Sequence, residues 1–266
     1  MARRLMTARS AEAGDWQPRW QELVKGVARV HSAFGEQQLV EWLLRRGKPR
    51  IVAFVNAHAM NAAAESREFF DSLRSADLLL RDGAGMAILL RLLNQPPGLN
   101  LNGTDLIPKI LARSMGRTIA LFGTQEPYLS RARALVASRI APGSRCVAAH
   151  GFLETSRYVR LAEAHRPAVI VLGMGMPRQE EVAVALRAAL GFPCLIICGG
   201  AIIDFLGDKT PRAPAWVRRA GLEWAFRLAL EPRRLFRRYV VGNPLFVARA
   251  LKLAARTLRQ ERGAAA

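Results

Sequence analysis

The chain has 266 residues, 51% of them hydrophobic, with 40 Lys and Arg against 21 Asp and Glu and a formal charge of +19. That length fits one large domain or a domain with an appendage, and that apolar content excludes a disordered chain. So basic a balance points to a polyanionic partner: nucleic acid, an anionic membrane surface or a phosphorylated substrate.

Residues 1–19 read as a flexible basic tail. Lys25–Val30 alternates weakly, as an edge strand would, and Gly35–Arg46 has helical spacing with Leu39, Trp42 and Leu43 on one face. Ile51–Val55 is a continuous apolar run, hence a buried strand, and the helix after it opens on Asn56-Ala57-His58-Ala59-Met60-Asn61. A helix over Glu65–Arg74, a strand over Asp77–Leu80 and a helix over Met86–Leu93 follow. After the break Asn94–Gly98, further strands are expected at Thr118–Phe122, Arg145–Ala149, Ala168–Leu172 and Cys194–Cys198. Helices are expected between them at Leu106–Met115, Tyr128–Ile140, Ser156–His165 and up to Leu190. This alternation predicts an α/β fold, a Rossmann-like parallel sheet with helices on both faces, over residues 20–208. Residues 209–266 read as a basic helical appendage in which Trp216, Trp224, Phe226, Phe236, Tyr239 and Phe246 alternate with arginines.

The segment Arg81-Asp82-Gly83-Ala84-Gly85 puts a carboxylate at the carboxyl end of a strand, where open α/β sheets bind ligands. The alternative is a plain turn in which Asp82 only caps the next helix. Gly173-x-Gly175-x-Pro177 resembles a dinucleotide fingerprint but lacks its third glycine, and no acidic residue ends the next strand at Cys198. A nicotinamide cofactor is therefore not expected, although a glycine loop entering a helix can still hold phosphate or ribose. There is no Walker pattern and no Asp-x-Asp pair. The missing pair argues against a transferase that grips its sugar nucleotide through a divalent metal. Cys146, Cys194 and Cys198 form no disulfide framework and have no histidines at ligand spacing, so neither a metal nor a cofactor is expected. His58 is open to a structural or a functional role. The basic C-terminal helices suit a solvated face, a nucleic-acid groove or an interfacial helix on anionic lipid. No nucleic-acid motif accompanies them.

Taken in order, these segments resemble the WecG/TagA/CpsF family, glycosyltransferase family 26, over roughly residues 24–246. The resemblance rests on Asn56, Asp77–Gly85, Gly103-Thr104-Asp105-Leu106, Gly173–Glu180 and Gly199–Gly207. It continues through Arg212-Ala213-Pro214, Gly221–Trp224, Glu231–Arg234 and Arg238-Tyr239. It implies an inverting, metal-independent enzyme that moves a sugar from a UDP-sugar to a polyprenyl-diphosphate-linked sugar. The implied place is the cytoplasmic face of the membrane, with an anionic lipid surface as partner, a possible homo-oligomer and no nucleic acid. Asp82 falls on the family's proposed catalytic aspartate. Substrate binding is expected of Asn56, His58, Asn61, Gly83, Asn102, Thr104, Asp105, Gly175 and Gln179. Arg227, Arg234 and Arg237 match arginines thought to close over the site and hold diphosphate.

Phe54-Val55-Asn56 stands where the N-acetylmannosamine-transferring branch has Thr-x-Asn, and Asn100 stands where that branch has an arginine. The texture of Asn56–Asn61 and Asn102–Asp105 looks closer to the xanthan-type branch. That likeness puts a β-1,4 transfer of glucose from UDP-glucose in exopolysaccharide synthesis first, and UDP-N-acetylmannosamine or its uronate second. A rival of another class is a non-catalytic basic module binding anionic lipid or nucleic acid.

Overall fold

The computed structural model describes residues 16–45 and 47–264. Residues 1–15 of the expected tail lie outside the described residues. Its last four residues are a correction: Trp16–Arg19 open a helix, α1 (Trp16–Gly26). Trp16, Trp20, Leu23 and Val24 repeat at helical spacing, and the face they make is buried. The Trp20 indole donates to the Met60 carbonyl at 2.7 Å, and Arg19 donates to the Ala63 carbonyl at 3.0 Å. The edge strand expected over Lys25–Val30 shrinks to β1 (Val27–Ala28) because α1 extends through Gly26.

The chain then runs α2 (Ala33–Leu43), β2 (Arg50–Val55), α3 (Ala57–Glu65), α4 (Arg67–Arg74), β3 (Leu78–Arg81), α5 (Gly83–Leu92) and α6 (Gly103–Ala112). It continues through β4 (Ile119–Gly123), α7 (Tyr128–Leu135), β5 (Cys146–Ala149), α8 (Thr155–His165), β6 (Val169–Gly173), α9 (Arg178–Ala189) and β7 (Leu195–Cys198). The C-terminal helices are α10 (Ile202–Leu206), α11 (Ala215–Arg219), α12 (Glu223–Leu230), α13 (Pro232–Phe236) and α14 (Gly242–Ala264). Ser32, Asn56, Ser66 and Asn102 start four of the helices by accepting a backbone N–H from the first turn.

The described strands form one parallel sheet in the order β1-β3-β2-β7-β6-β4-β5. Successive strand residues point to opposite faces, and both faces are dry. Ile51, Ala53 and Val55 of β2 join one core with Ile170 and Leu172 of β6. Val52 and Phe54 join the other, with Val171 and Ile197. A sheet buried on both sides requires runs of apolar residues, which is why its strands are visible in the sequence. The order places β2 beside β7, where the half that holds β1, β3 and β2 meets the half that holds β6, β4 and β5. A crevice for ligand opens beyond the carboxyl ends of strands at such a junction.

The last helix shares the first core in space. Phe246, Ala250 and Leu253 are buried there, and the Phe246 ring lies 5.3 Å from that of Trp20. Burying side chains of this size contributes about 1.5–3 kcal/mol each. Between α13 and α14 the chain makes a π turn over Arg237–Val241, closed by the Gly242 N–H to the Arg237 carbonyl. Pro244 carries no N–H, so the ordinary helical bond to the Val240 carbonyl cannot form. Among the described residues no helix is long and apolar enough to cross a membrane.

Candidate active site

The loops after β2, β3, β6 and β7, four neighbouring strands, surround one cleft of about 680 Å³. Asp82 follows the last residue of β3. It occupies the N-cap position of α5, yet its side chain makes no cap hydrogen bond. The carboxylate accepts instead from Asn56 Nδ2 at 3.1 Å, across the β2–β3 pair. Asn56 also caps α3, accepting the Ala59 N–H at 3.0 Å. One amide thus ties the start of a helix to the orientation of the carboxylate.

Buried Arg81 fixes the loop from behind. It donates to the carbonyls of Pro97, Gly83 and Gly98, each at 3.0 Å. Hydrogen bonds from a charged donor to a buried carbonyl contribute about 1.5–3 kcal/mol each. Gly83 has φ +82°, a conformation side chains resist, and its N–H donates to Asn100 Oδ1 at 2.8 Å. At Gly85 a Cβ would come within 3.1 Å of Ala57 and 3.3 Å of the Phe246 ring, so the glycine lets α5 pack closely on α3 and α14.

A second lobe of about 300 Å³ shares Asn56, His58, Asp82, Thr104, Arg227 and Arg238 with the main cleft. The two lobes meet at Asp82. The main lobe carries Arg227, Arg234, Arg237 and Arg238 together with the glycine loops at Gly173–Gly175 and Gly199–Gly200. The smaller lobe is lined by Ile88, Asn100, Trp224, Tyr239, Phe246 and Val247 among others. The Nε atoms of Arg227 and Arg238 are buried with no hydrogen-bond partner. Burial, with Arg227 and Arg234 nearby, pulls Arg238 below the ordinary arginine range, while Tyr239 and Asp82 push the other way. Burial first, then the charge of Arg238, lowers His58 to about 4, so its ring is neutral at pH 7.

Most residues expected to bind substrate line the two lobes: Asn56, His58, Asn61, Gly83, Asn102, Thr104, Gly175, Gln179, Arg227, Arg234 and Arg237. Asp105 is not brought together with them. It lines neither lobe and is tied to Arg212 and, at 3.7 Å, to Arg218. Burial opposes its charge, but Arg212 and Asn102 outweigh that and hold its carboxyl below the usual range. Asp105 therefore clamps α6 to the C-terminal segment. Asn61 is also engaged, donating to the Gly242 carbonyl at 2.7 Å and accepting from Arg249 at 3.0 Å. Buried Gln179 accepts the Gly200 N–H at 2.9 Å and donates to Glu180 at 2.8 Å, which fixes the Gly199–Gly200 loop as the floor of the cleft. Among the described residues no three His, Cys, Asp or Glu side chains gather as metal ligands.

Two lining residues escaped the sequence reading. Arg238 was singled out in the sequence only within Arg238-Tyr239, with no role attached to it. Glu223 is a half-buried carboxylate in the smaller lobe, raised by burial first and by Asp82 second. Its only sequence signal was its place in Gly221-Leu222-Glu223-Trp224.

A family model described as the glycosyl transferase WecG/TagA/CpsF family matches residues 27–260. The chain belongs to this glycosyltransferase family. It is 27% identical over 207 residues to an N-acetylglucosaminyldiphosphoundecaprenol N-acetyl-beta-D-mannosaminyltransferase of Bacillus subtilis (strain 168), covering 76% of this chain and 79% of that protein. It is 23% identical over 234 residues to a Staphylococcus aureus (strain NCTC 8325 / PS 47) protein of the same name, covering 86% and 87%. Membership of a glycosyltransferase family sets aside the reading as a non-catalytic basic module. The matched span includes every lining residue named above, the C-terminal arginines among them.

Proposed function

We propose that this glycosyltransferase moves an N-acetylmannosaminyl residue from a UDP-sugar to a polyprenyl-diphosphate-linked N-acetylglucosamine, with inversion and without a metal. The observation that carries the reading is the meeting of two lobes at Asp82. One lobe is rich in arginine, the other has an apolar wall, and the carboxylate between them is released from helix capping and held by Asn56.

In this reading the donor diphosphate lies in the main lobe and the acceptor sugar enters through the smaller one. The acceptor hydroxyl gives its proton to Asp82 as its oxygen attacks the anomeric carbon. The new glycosidic bond forms on one face as the bond to diphosphate breaks on the other, which inverts the centre. UDP departs with the electron pair and is held by Arg227, Arg234, Arg237 and Arg238. Guanidinium forks can hold phosphate oxygens bidentately and so stabilise that charge without a cation. The buried Nε atoms of Arg227 and Arg238 have donors to spare for such a ligand. Neutral His58 serves as an uncharged hydrogen-bond partner. The basic C-terminal helices and their exposed Trp216, Leu222 and Leu251 support seating on an anionic membrane at its cytoplasmic face.

The names of the relatives favour the acetamido donor over glucose. Transfer of glucose to a glucosyl lipid is kept as a second reading on one observation. Asn100, which replaces the arginine of the N-acetylmannosamine branch, contacts Gly83 directly beside Asp82. The test offers UDP-N-acetylmannosamine and UDP-glucose separately, each with N-acetylglucosaminyl- and glucosyl-diphosphate-polyprenol, with a chelator present. Transfer from the acetamido donor alone supports the proposal. Transfer from UDP-glucose alone replaces it with the second reading, and dependence on added metal refutes the arginine account.

A further inference from the structure

A second cleft, of about 480 Å³, opens at the opposite edge of the sheet. It is lined by the residues that begin β2 and β7, by Arg117 and Ala168 ahead of β4 and β6, and by the loop after α2. A six-residue strand such as β2 spans roughly 20 Å, so this cleft is about that far from the catalytic one.

Its lining holds Arg45, Lys48, Arg50, Arg117 and Arg166, and no carboxylate. None of the five takes part in an ion pair among the described residues. Three are held in place by uncharged groups. Arg50 lies over the Trp42 ring at 4.8 Å and donates to the Trp42 carbonyl at 2.9 Å. Arg166 lies over the Phe192 ring at 4.4 Å, and Arg117 donates to the Leu44 carbonyl at 3.5 Å. Arg166 has φ +45° because it ends α8 as a left-handed cap, its N–H bonded back to the Ala162 carbonyl, and this turn directs the chain into the cleft.

The simplest structural role for these cations is to neutralise helix ends. Helices α2, α8 and α9 all finish at this edge. Each carboxyl terminus carries about half a negative charge, so three supply roughly 1.5 charges. Five cations leave more than three charges uncompensated around one cavity. Four of the five are exposed, so water screens part of their repulsion, and an anion seated among them would relieve the rest.

We propose that this cleft is a second anion site that takes a compact polyphosphate, a group with two or more phosphoryl charges. Arginine forks held by stacking are pre-formed for phosphate oxygens, and Lys48 adds a mobile point charge. The same chemistry is offered by a free diphosphate and by a lipid headgroup that carries two phosphates.

The test is calorimetric titration of the whole protein with inorganic pyrophosphate in 150 mM salt, on the order of ionic strength that screens loose surface attraction. The wild type binds at two sites, one in each cleft. Arg45, Lys48, Arg117 and Arg166 are exposed, so R45Q/K48Q/R117Q keeps the fold. This variant loses one site, its affinity falling by about tenfold or more as charge-assisted bonds are removed. R234A/R237A loses only the other site. Retention of both sites by R45Q/K48Q/R117Q overturns the proposal, as does equal displacement of pyrophosphate by chloride and by phosphate. A parallel sedimentation with vesicles containing cardiolipin, whose headgroup carries two phosphates, separates the sources. Vesicle binding that R45Q/K48Q/R117Q loses, without a second pyrophosphate site in the wild type, assigns the cleft to lipid headgroups. No second pyrophosphate site and no vesicle loss overturns the proposal.

Discussion

Replacing Asn56 by Asp separates its two jobs. Aspartate caps a helix about as well as asparagine, so α3 keeps its start, and at acidic pH, where the new pair holds a proton, the melting temperature stays close to that of the wild type and falls below it only in alkali. The donor to Asp82 is lost and a second carboxylate takes its place. At the 3.1 Å of the present contact, two unit charges at an effective dielectric of about 20 repel by about 5 kcal/mol. That upper figure corresponds to nearly four pH units at about 1.36 kcal/mol each. Both groups are half-exposed, and separation and solvent screening reduce it to about one to two units. A proton is then shared between the two carboxylates, and the pair delivers a free base only at higher pH. The acidic limb of the kcat/KM profile therefore moves up by about one to two units, with activity recovering in alkali. The assay is sugar transfer from pH 5 to 10 beside a thermal melt at each pH. An unmoved acidic limb, or activity lost in proportion to stability, refutes the coupling of Asn56 to the base.

Three further outcomes follow from the same geometry. Burial pushes Glu180 up to about 7, so the folded state keeps a proton that the unfolded chain releases near 4.5. Its contribution to stability is complete below pH 4.5 and lost as pH rises through 7, and Glu180→Gln removes that dependence. The variant is more stable at pH 8 by about 2–3 kcal/mol and equal at pH 4.5, read by denaturant melts at both pH values. Arg238→Ala changes the stability of the ligand-free protein little, since the buried Nε it removes has no hydrogen-bond partner, while the KM for the donor rises about tenfold or more. A loss of stability matching the loss of activity would make Arg238 structural. Glu223→Gln raises the KM for the acceptor and leaves that for the donor within about twofold, because Glu223 lines only the smaller lobe. An effect confined to the donor would reverse the assignment of the lobes.

The strands were readable because a parallel sheet covered on both faces must be apolar without interruption, and Ile51–Val55 and Val169–Leu172 are. The residues at strand ends were readable for a related reason. Asn56, Asp82 and Gly175 stand where the apolar runs stop. Trp16–Gly26 was missed because arginine and glutamine interrupt its apolar face, and only the packing of Trp20 under α3 reveals it. The ion pair of Asp105 was not legible because its partner Arg212 lies 107 residues away. Glu223 and Arg238 reach Asp82 only when the chain folds back after β7, a placement that local spacing cannot encode.

If Asp82 removes the acceptor proton during sugar transfer, its replacement must slow the chemical step itself. The most direct measurement is the single-turnover rate of Asp82→Asn with saturating UDP-N-acetylmannosamine and N-acetylglucosaminyl-diphosphate-polyprenol. A positioned base contributes about 10²–10⁴ to such a rate. A loss of that size is expected, with the melting temperature and the affinity for UDP unchanged. A variant within about threefold of the wild type would contradict it and move the base to another residue.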